Sequence, residues 1–353
     1  MEIDIARTLD KYLGCIVGAA AGDALGAATE PLSTKQIIDT YGGFVTDFQT
    51  PADNTLSHGR QAGQVTDAFS IPYFLSQHIL AANGKVSRAI GEDTLREWGE
   101  SEWFAPFAGM TTRKVINRLK ENDKQELWSY AGHLGNKLFK GHYYALSSNG
   151  AAVKAWPAAL LHPADINAAI ADAVELTMAS HDDPLSISGA CAMAAAVSQA
   201  LDEDATLYDI IQAAIYGAKE GEKLARERED IWVYPGPSVV RRIEMAIDVA
   251  MKHPEDGMEA LRDLIGSGPA VAETLPTALG LLLVNNGNVM KALGEAINIG
   301  DETAAIASIV GAIGGAWQGI TIFPTHYLPT IDQANNFDLT SLANQWVHLA
   351  CIS

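Results

Sequence analysis

The segment GCIVGAAAGDALGAATE, residues 14–30, places a glycine at every fourth position of an apolar helix. Gly14, Gly18, Gly22 and Gly26 form one slowly drifting stripe, because residues four apart lie on the same helix face. Each glycine inside a helix costs roughly 1 kcal/mol relative to alanine. Close approach of a second backbone offsets that cost, so the stripe predicts a tightly packed helix pair.

A second glycine ladder, at Gly311, Gly315 and Gly319, has the same four-residue spacing. If the two ladders pack together, the residues that follow the first are held near those that precede the second. The uncharged segment 303–325 is long enough to span a membrane. Its Gly and Ala content, and flanks without Lys or Arg clusters, favour a helix buried inside a large helical protein instead.

Helical periodicity dominates the rest of the chain. It predicts helices at Tyr12 to Gly26, Asp67 to Leu80, Asp165 to Met178, Ser186 to Leu201, Leu207 to Leu224, Val239 to Met251, Pro276 to Leu283 and Val289 to Ile297. A capping box at Ser33 and Gln36 marks a further helix start. Helix ends are expected at Gly84, Gly266 and Gly287.

Little else interrupts this pattern. Phe44 to Phe48 is the nearest strand candidate, and it is short. No Pro-, Gly- or Ser-rich linker divides the chain, so we expect one all-α domain over residues 1–353.

Composition limits the partners. The net charge of -19 argues against extended binding to nucleic acid or to an anionic membrane. Cys15, Cys191 and Cys351 are far apart and form no CxxC pair, which indicates a reducing compartment. No basic segment precedes an apolar run near Met1, so we expect a cytoplasmic protein without a signal peptide.

Two carboxylates lie in or just after the first glycine stripe. Asp23 stands inside an apolar helix, where a carboxylate is costly unless it is paired or hydrogen-bonded. It either caps a neighbouring helix or contacts a ligand. Glu30 lies at a helix-to-loop corner, a usual place for a catalytic acid or base.

Four further polar segments are candidates for the site. Thr66 and Asp67 introduce an apolar helix and form, taken alone, an N-cap. The small-residue turn 147–152 has free amides that could hold a phosphate or a sugar. His181, beside two aspartates, is more often a helix-end residue than a catalyst. Segment 298–303 directly precedes the second ladder.

In this order the segments resemble the ADP-ribosylglycohydrolase superfamily, which includes the dinitrogenase-reductase-activating glycohydrolases. The family patterns GxxxGDxxGxxxE, TDDT, GNGAAMR, TH and ESVPAAL…NLGGDTDTIAAIVGALxGAxxG are similar to residues 18–30, 66–67, 148–154, 180–181 and 273–319. The resemblance covers most of the chain. It implies a single compact orthogonal helical bundle of the ADP-ribosylglycohydrolase type.

The resemblance also implies two magnesium ions, bound through the Thr and two Asp of TDDT and through the two Asp and final Thr of DTDT. Here Ala68 replaces an Asp of the first motif. In the second motif Glu302 replaces the first Asp, Ala304 the second and Ala305 the Thr. Half of the protein ligands are therefore methyl groups, whereas Mg²⁺ requires a near-octahedral set of oxygens. We expect at most one hydrated ion, or none, with the ligands Thr66, Asp67 and Glu302.

The activity implied is a glycohydrolase that cleaves an N- or O-ribosyl bond of an ADP-ribosylated or small ribosyl or nucleoside-like substrate. Glu30 matches the family's catalytic glutamate, and Asp67 is expected to orient water or the ribose hydroxyls. Substrate contacts are expected from Asp23, Ser148, Asn149, Gly150 and His181. The alternative is a non-catalytic ribosyl-ligand sensor or a structural relative, like the family's lens crystallin members.

Overall fold

The computed structural model describes residues 4–120, 147–229, 231, 233 and 236–352. Within these ranges there is no strand, and the only ladder-like contacts are isolated bridges between Ser33 and Gly300 and between Ser148 and Ala270. The all-α class is therefore confirmed. The strand candidate Phe44 to Phe48 is irregular, because Asn298 holds both backbone groups of Val45 with its side-chain amide, at 2.9 and 2.8 Å.

The described part of the chain is built from helices. Their bounds are α1 (Ile5–Gly26), α2 (Thr34–Tyr41), α3 (Asp67–Ala81), α4 (Arg88–Trp98), α5 (Phe104–Phe107), α6 (Met110–Lys120), α7 (Gly150–Val153), α8 (Trp156–Leu161), α9 (Ile166–Thr177), α10 (Pro184–Ala200), α11 (Leu207–Arg226), α12 (Val239–Lys252), α13 (Gly257–Leu264), α14 (Val271–Val284), α15 (Val289–Ala296), α16 (Thr303–Gln318), α17 (Tyr327–Asn335) and α18 (Leu339–Ile352).

The eight helices predicted from periodicity are all present, with ends that differ by up to seven residues. The capping box of Ser33 and Gln36 begins α2. Gly84, Gly266 and Gly287 follow α3, α13 and α14 with positive φ angles. Short helices such as α4 and α13 lack a long apolar stripe, so periodicity alone did not predict them.

The two glycine ladders pack against each other as an antiparallel helix pair, α1 with α16. A Cβ on Gly14 would overlap the carbonyl oxygen of Gly315, and a Cβ on Gly18 would overlap that of Gly311. One step further along α1, the partner of Gly22 is the backbone of Ala307. The close approach that offsets the glycine cost is thus confirmed.

This pair lies in the centre of the molecule. From Thr303 to Ala316 every residue of α16 is buried, and one continuous apolar cluster extends from α1 to α18. Among the described helices, none is both long and apolar enough to cross a membrane. The extent of a single domain over residues 1–353 stays a prediction.

The antiparallel packing brings the end of α1 to the start of α16. Thr303 donates a hydrogen bond to the carbonyl of Gly26 at 2.9 Å, and Thr29 donates to the carbonyl of Ile297 at 2.7 Å. These buried contacts fix the turn that carries Glu30 against the loop that carries Glu302.

Candidate active site

Asp23 lies completely buried on α1 and caps the N-terminus of α3. Its carboxylate accepts hydrogen bonds from the Thr66 backbone (2.9 Å), the Thr66 hydroxyl (2.7 Å) and the Phe69 backbone (2.8 Å). Burial raises the pKa of Asp23 to about 7, although these bonds and the charge of Arg60 oppose the rise. Asp23 therefore caps a neighbouring helix, as one of its two interpretations predicted. A contact between Asp23 and a substrate stays a prediction.

Glu30 lies in the turn after α1, and its carboxylate reaches the first turn of α16. Oε2 accepts a hydrogen bond from the backbone N–H of Ala304 at 3.0 Å. The unpaired N–H groups at a helix start, together with the helix dipole, favour a negative charge there. Across the described residues, Oε1 receives no hydrogen bond, so this oxygen remains for chemistry.

Asp67 and Glu302 complete a cluster of acids around Glu30. Burial, followed by the charges of Glu302 and Asp67, raises the pKa of Glu30 well above its usual range. Burial and the charges of Asp23 and Glu302 raise the pKa of Asp67 to about 8. Carboxylates that share a partly dry site cannot all ionise easily, so the cluster can hold a proton near neutral pH.

The turn before α7 forms the opposite side of this cluster. The side-chain amide of Asn149 donates to Glu302 Oε2 at 2.8 Å, which opposes the burial that raises the pKa of Glu302. The turn is held in place because Asn149 N–H donates to the carbonyl of Pro269 (2.8 Å) and Val271 N–H donates to that of Ser147 (2.9 Å). Ser148, Asn149 and Gly150 are all partly exposed, as a ligand-binding turn requires.

His181 lies behind this turn. It is 1% exposed, and its Nε2 lies 2.8 Å from the Ser148 hydroxyl oxygen. The sequence predicted that His181 lines the cleft. The structure instead buries the ring, so that His181 reaches the cleft through Ser148.

Two residues of this region were missed as site candidates. Lys154 is 5% exposed and contacts both Ser180 and His181. Burial lowers the pKa of Lys154 to about 7. A lysine within the apolar run AAVKAWPAALL, residues 151–161, was the signal that could have identified it. The neighbouring Asp183 caps α10, accepting from Leu185 N–H and Ser186 N–H at 3.0 Å each.

The donor set does not fit the two-ion magnesium cluster that the family motifs imply. Thr66 already donates its hydroxyl proton to Asp23 and accepts from Ala68 N–H. Alanine side chains occupy three further ligand positions. In the described ranges, no three His, Cys, Asp or Glu side chains are grouped so that they could hold a metal ion.

The helical fold and this arrangement of acids define the class of the protein. The model of the ADP-ribosylglycohydrolase family matches residues 4–351. The chain belongs to the ADP-ribosylglycohydrolase family and is a hydrolase of that type.

Individual relatives are distant but are similar over almost the whole chain. The ADP-ribosylarginine hydrolase Tri1 of Serratia proteamaculans is 24% identical, over 98% of this chain and 81% of Tri1. The human ADP-ribosylhydrolase ARH3 is 23% identical, over 97% of this chain and 94% of its own length. A solved structure described as an ADP-ribosylglycohydrolase-related protein complex has a TM-score of 0.66 at 18% identity, covering 98% of this chain and 99% of that one. The structural likeness shows the fold alone.

Proposed function

We propose that the protein hydrolyses the bond between C1″ of an ADP-ribosyl group and a nitrogen or oxygen acceptor atom. One observation carries this proposal: the carboxylate of Glu30, at the family's catalytic position, reaches the start of α16 beside Asp67 and Glu302, and one of its oxygens is left for proton transfer. Glycoside cleavage passes through an oxocarbenium-like state that such carboxylates stabilise.

In the proposed reaction Glu30 acts as the general acid and then as the general base. As the bond from C1″ to the acceptor breaks, its electron pair stays on the acceptor, which takes a proton from the protonated carboxyl group of Glu30 and leaves Glu30 as a carboxylate. Water forms the new bond to C1″ and gives its proton to Glu30 Oε1. Burial and the neighbouring acids raise the pKa of Glu30 well above its usual range, which favours the protonated carboxyl group that gives up this proton.

Other residues of the cluster would bind and orient. We assign Asp67 to the attacking water or to the ribose hydroxyls. Ser148 and Gly150 are partly exposed, and we assign them to hold the substrate. Asn149 keeps Glu302 in place through its 2.8 Å hydrogen bond and would contact the substrate beside it.

The substrate class follows from the relatives and from the altered metal motifs. Tri1 and ARH3 are named for ADP-ribosylarginine and ADP-ribosyl hydrolysis. We infer that this chain takes ADP-ribosyl compounds, or smaller ribosyl or nucleoside-like compounds, with a metal-poor site. We place the activity in the cytoplasm, because Cys15 and Cys191 are buried free thiols.

The test compares wild type with Glu30→Gln on ADP-ribosyl-arginine and on an O-linked ADP-ribosyl peptide, measuring released ADP-ribose. The variant should keep its helical circular dichroism spectrum and lose about 10²- to 10⁴-fold in turnover. Glu295→Gln is the matched control. Glu295 is also partly buried and accepts a 2.7 Å hydrogen bond from an Asn285 amide, but it lies outside the acid cluster.

Equal turnover in wild type and Glu30→Gln would remove Glu30 from the mechanism. Binding of ADP-ribose without turnover of any substrate would favour the alternative, a ribosyl-ligand sensor. The replaced ligands Ala68, Ala304 and Ala305 are the observation that supports that second function.

A further inference from the structure

A buried hydrogen-bonded chain runs from Lys154, just after α7, to the surface of the candidate site. Lys154 Nζ donates to the hydroxyl of Ser180 and lies 3.3 Å from His181 Nδ1. The Ser180 hydroxyl lies 2.8 Å from the same ring nitrogen. On the other side of the ring, Nε2 lies 2.8 Å from the hydroxyl oxygen of Ser148. Lys154, Ser180 and His181 are buried, and Ser148 is partly exposed.

The direction of these hydrogen bonds determines the tautomer of His181. A lysine ammonium has three donors and no acceptor, so the atom it faces on the ring must accept. A proton on His181 Nδ1 would point at the Lys154 ammonium. Ser180 accepts from Lys154 and therefore has its own proton available for Nδ1. Both neighbours thus require a bare Nδ1, and the ring proton lies on Nε2.

Neutrality of the ring follows from the same surroundings. Burial and the charge of Lys154 lower the pKa of His181 well below its usual range. A neutral ring with its proton on Nε2 must donate to the Ser148 hydroxyl oxygen. The hydroxyl proton of Ser148 then points elsewhere, and within the part of the chain that the structure describes it meets no acceptor.

We propose that Lys154 is a positioning residue, which fixes the tautomer of His181 so that Ser148 presents its hydroxyl proton to an unprotonated ligand oxygen. A phosphate oxygen has the chemistry required, because it accepts and cannot donate. This inference rests on the proposed function for the identity of the ligand, an ADP-ribosyl compound. The role of Lys154 itself depends only on the geometry of the hydrogen bonds that join Lys154, Ser180, His181 and Ser148.

Arginine and methionine at position 154 separate the two roles of the lysine. Arg keeps a permanent charge and only donates hydrogen bonds, so Lys154→Arg should preserve the tautomer. A small cavity of about 10 Å³ beside Lys154 gives the larger side chain some room. Lys154→Met has a similar shape and no donor, so His181 Nδ1 is then free to carry the proton and donate to Ser180.

The first measurement is ¹⁵N NMR of histidine-labelled protein at pH 6, where Lys154, with a pKa of about 7, is protonated. The signal of His181 is assigned by its loss in His181→Gln. Wild type and Lys154→Arg should both show a neutral ring protonated on Nε2. Lys154→Met should show protonation on Nδ1 or a mixture. A wild-type ring protonated on Nδ1, or an unchanged tautomer in Lys154→Met, would overturn the assignment.

The second measurement is calorimetric binding of ADP-ribose and of ribose. At the same pH, Lys154→Met and Ser148→Ala should each weaken ADP-ribose binding by about 10- to 150-fold, the size of one hydrogen bond to a charged oxygen, while Lys154→Arg keeps it. Binding of ribose should not change, and an equal loss for ribose would exclude a phosphate as the acceptor. If wild type binds no ADP-ribose, the proposed function fails, and the NMR result still decides the role of Lys154.

Discussion

The Glu30 carboxylate and the backbone N–H of Ala304 are joined by a 3.0 Å hydrogen bond. Ala304 occupies the position of a metal-binding aspartate in the family motif. It lies in the first turn of α16, so Glu30 faces the N-terminus of this helix. A helix start carries the equivalent of about half a positive charge, together with unpaired N–H groups. This hydrogen bond and the helix dipole oppose the rise in the pKa of Glu30, but burial and the charges of Glu302 and Asp67 outweigh them.

Magnesium should bind weakly, with no more than one ion per chain. The physical reason is the loss of oxygens at Ala68, Ala304 and Ala305, because Mg²⁺ does not accept methyl groups as ligands. Isothermal titration should give a stoichiometry of one or less, and anomalous scattering from Mn²⁺ should locate at most one site. Two ions about 4 Å apart, the spacing of two-metal centres, would contradict the assigned register.

Asp67→Asn should weaken ligand binding and turnover together, unlike Glu30→Gln, which should lower turnover alone. We expect this because Asp67 is assigned to orient water or ribose hydroxyls instead of transferring a proton. The measurement is kcat and KM on ADP-ribosyl-arginine with the binding constant of ADP-ribose. Asp172→Asn is the control, since Asp172 pairs with His162 at 2.7 Å away from the acid cluster. A pure kcat loss in Asp67→Asn would reassign it to proton transfer.

Much of the architecture could be predicted from the sequence because glycine spacing is a local property with a long-range consequence. Glycines such as Gly18 and Gly311 are costly inside a helix unless two helix backbones pack closely at those positions. Their spacing therefore predicted the close packing of α1 against α16. Because this packing is antiparallel, the end of α1 lies beside the start of α16, and Glu30 is therefore close to Glu302.

The environment of His181 could not be predicted in this way. Its burial depends on how the turn at Ser148 lies against Lys154 and Ser180, and none of these contacts has a periodic signal. Likewise, the choice between a cap and a ligand contact for Asp23 depended on where α3 begins in space. Such contacts are set by tertiary packing, which a single sequence does not display.

Alanine substitutions on the glycine stripe should be strongly destabilising. A Cβ on Gly18 would overlap the carbonyl oxygen of Gly311, which is backbone and cannot move aside cheaply. We expect Gly18→Ala to lower the free energy of unfolding by about 3 kcal/mol or more, as measured by urea denaturation. Gly294→Ala is the matched control, because a Cβ on this helical glycine would meet nothing within 4 Å.

The control should change stability in the opposite direction. Removing a glycine from a helix interior without a clash stabilises it by roughly 0.5 to 1 kcal/mol. Equal effects of Gly18→Ala and Gly294→Ala would show that α1 and α16 do not approach closely in solution.

Stability should depend on pH through Lys154. Burial lowers its pKa from 10.5 to about 7 in the folded protein. Below about pH 7 the lysine is protonated in both states, and the cost of burying its charge is fully present. Between about pH 7 and 10.5 the unfolded chain holds the extra proton, so the free energy of unfolding rises with pH. The slope from this one group is at most about 1.4 kcal/mol per pH unit.

Lys154→Met lacks this contribution, and Lys154→Arg stays charged at every pH in the range, so neither variant should show the rise. The measurement is urea denaturation of the three proteins at pH 6, 7, 8 and 9 in one buffer series. Relative to Lys154→Met, wild type should be least stable at pH 6 and should gain steadily above about pH 7. Taking this difference cancels the titration of the groups that Lys154 does not perturb, the acid cluster included. Parallel curves for wild type and Lys154→Met would mean that Lys154 keeps its ordinary pKa in the folded protein, with its ammonium group in contact with water.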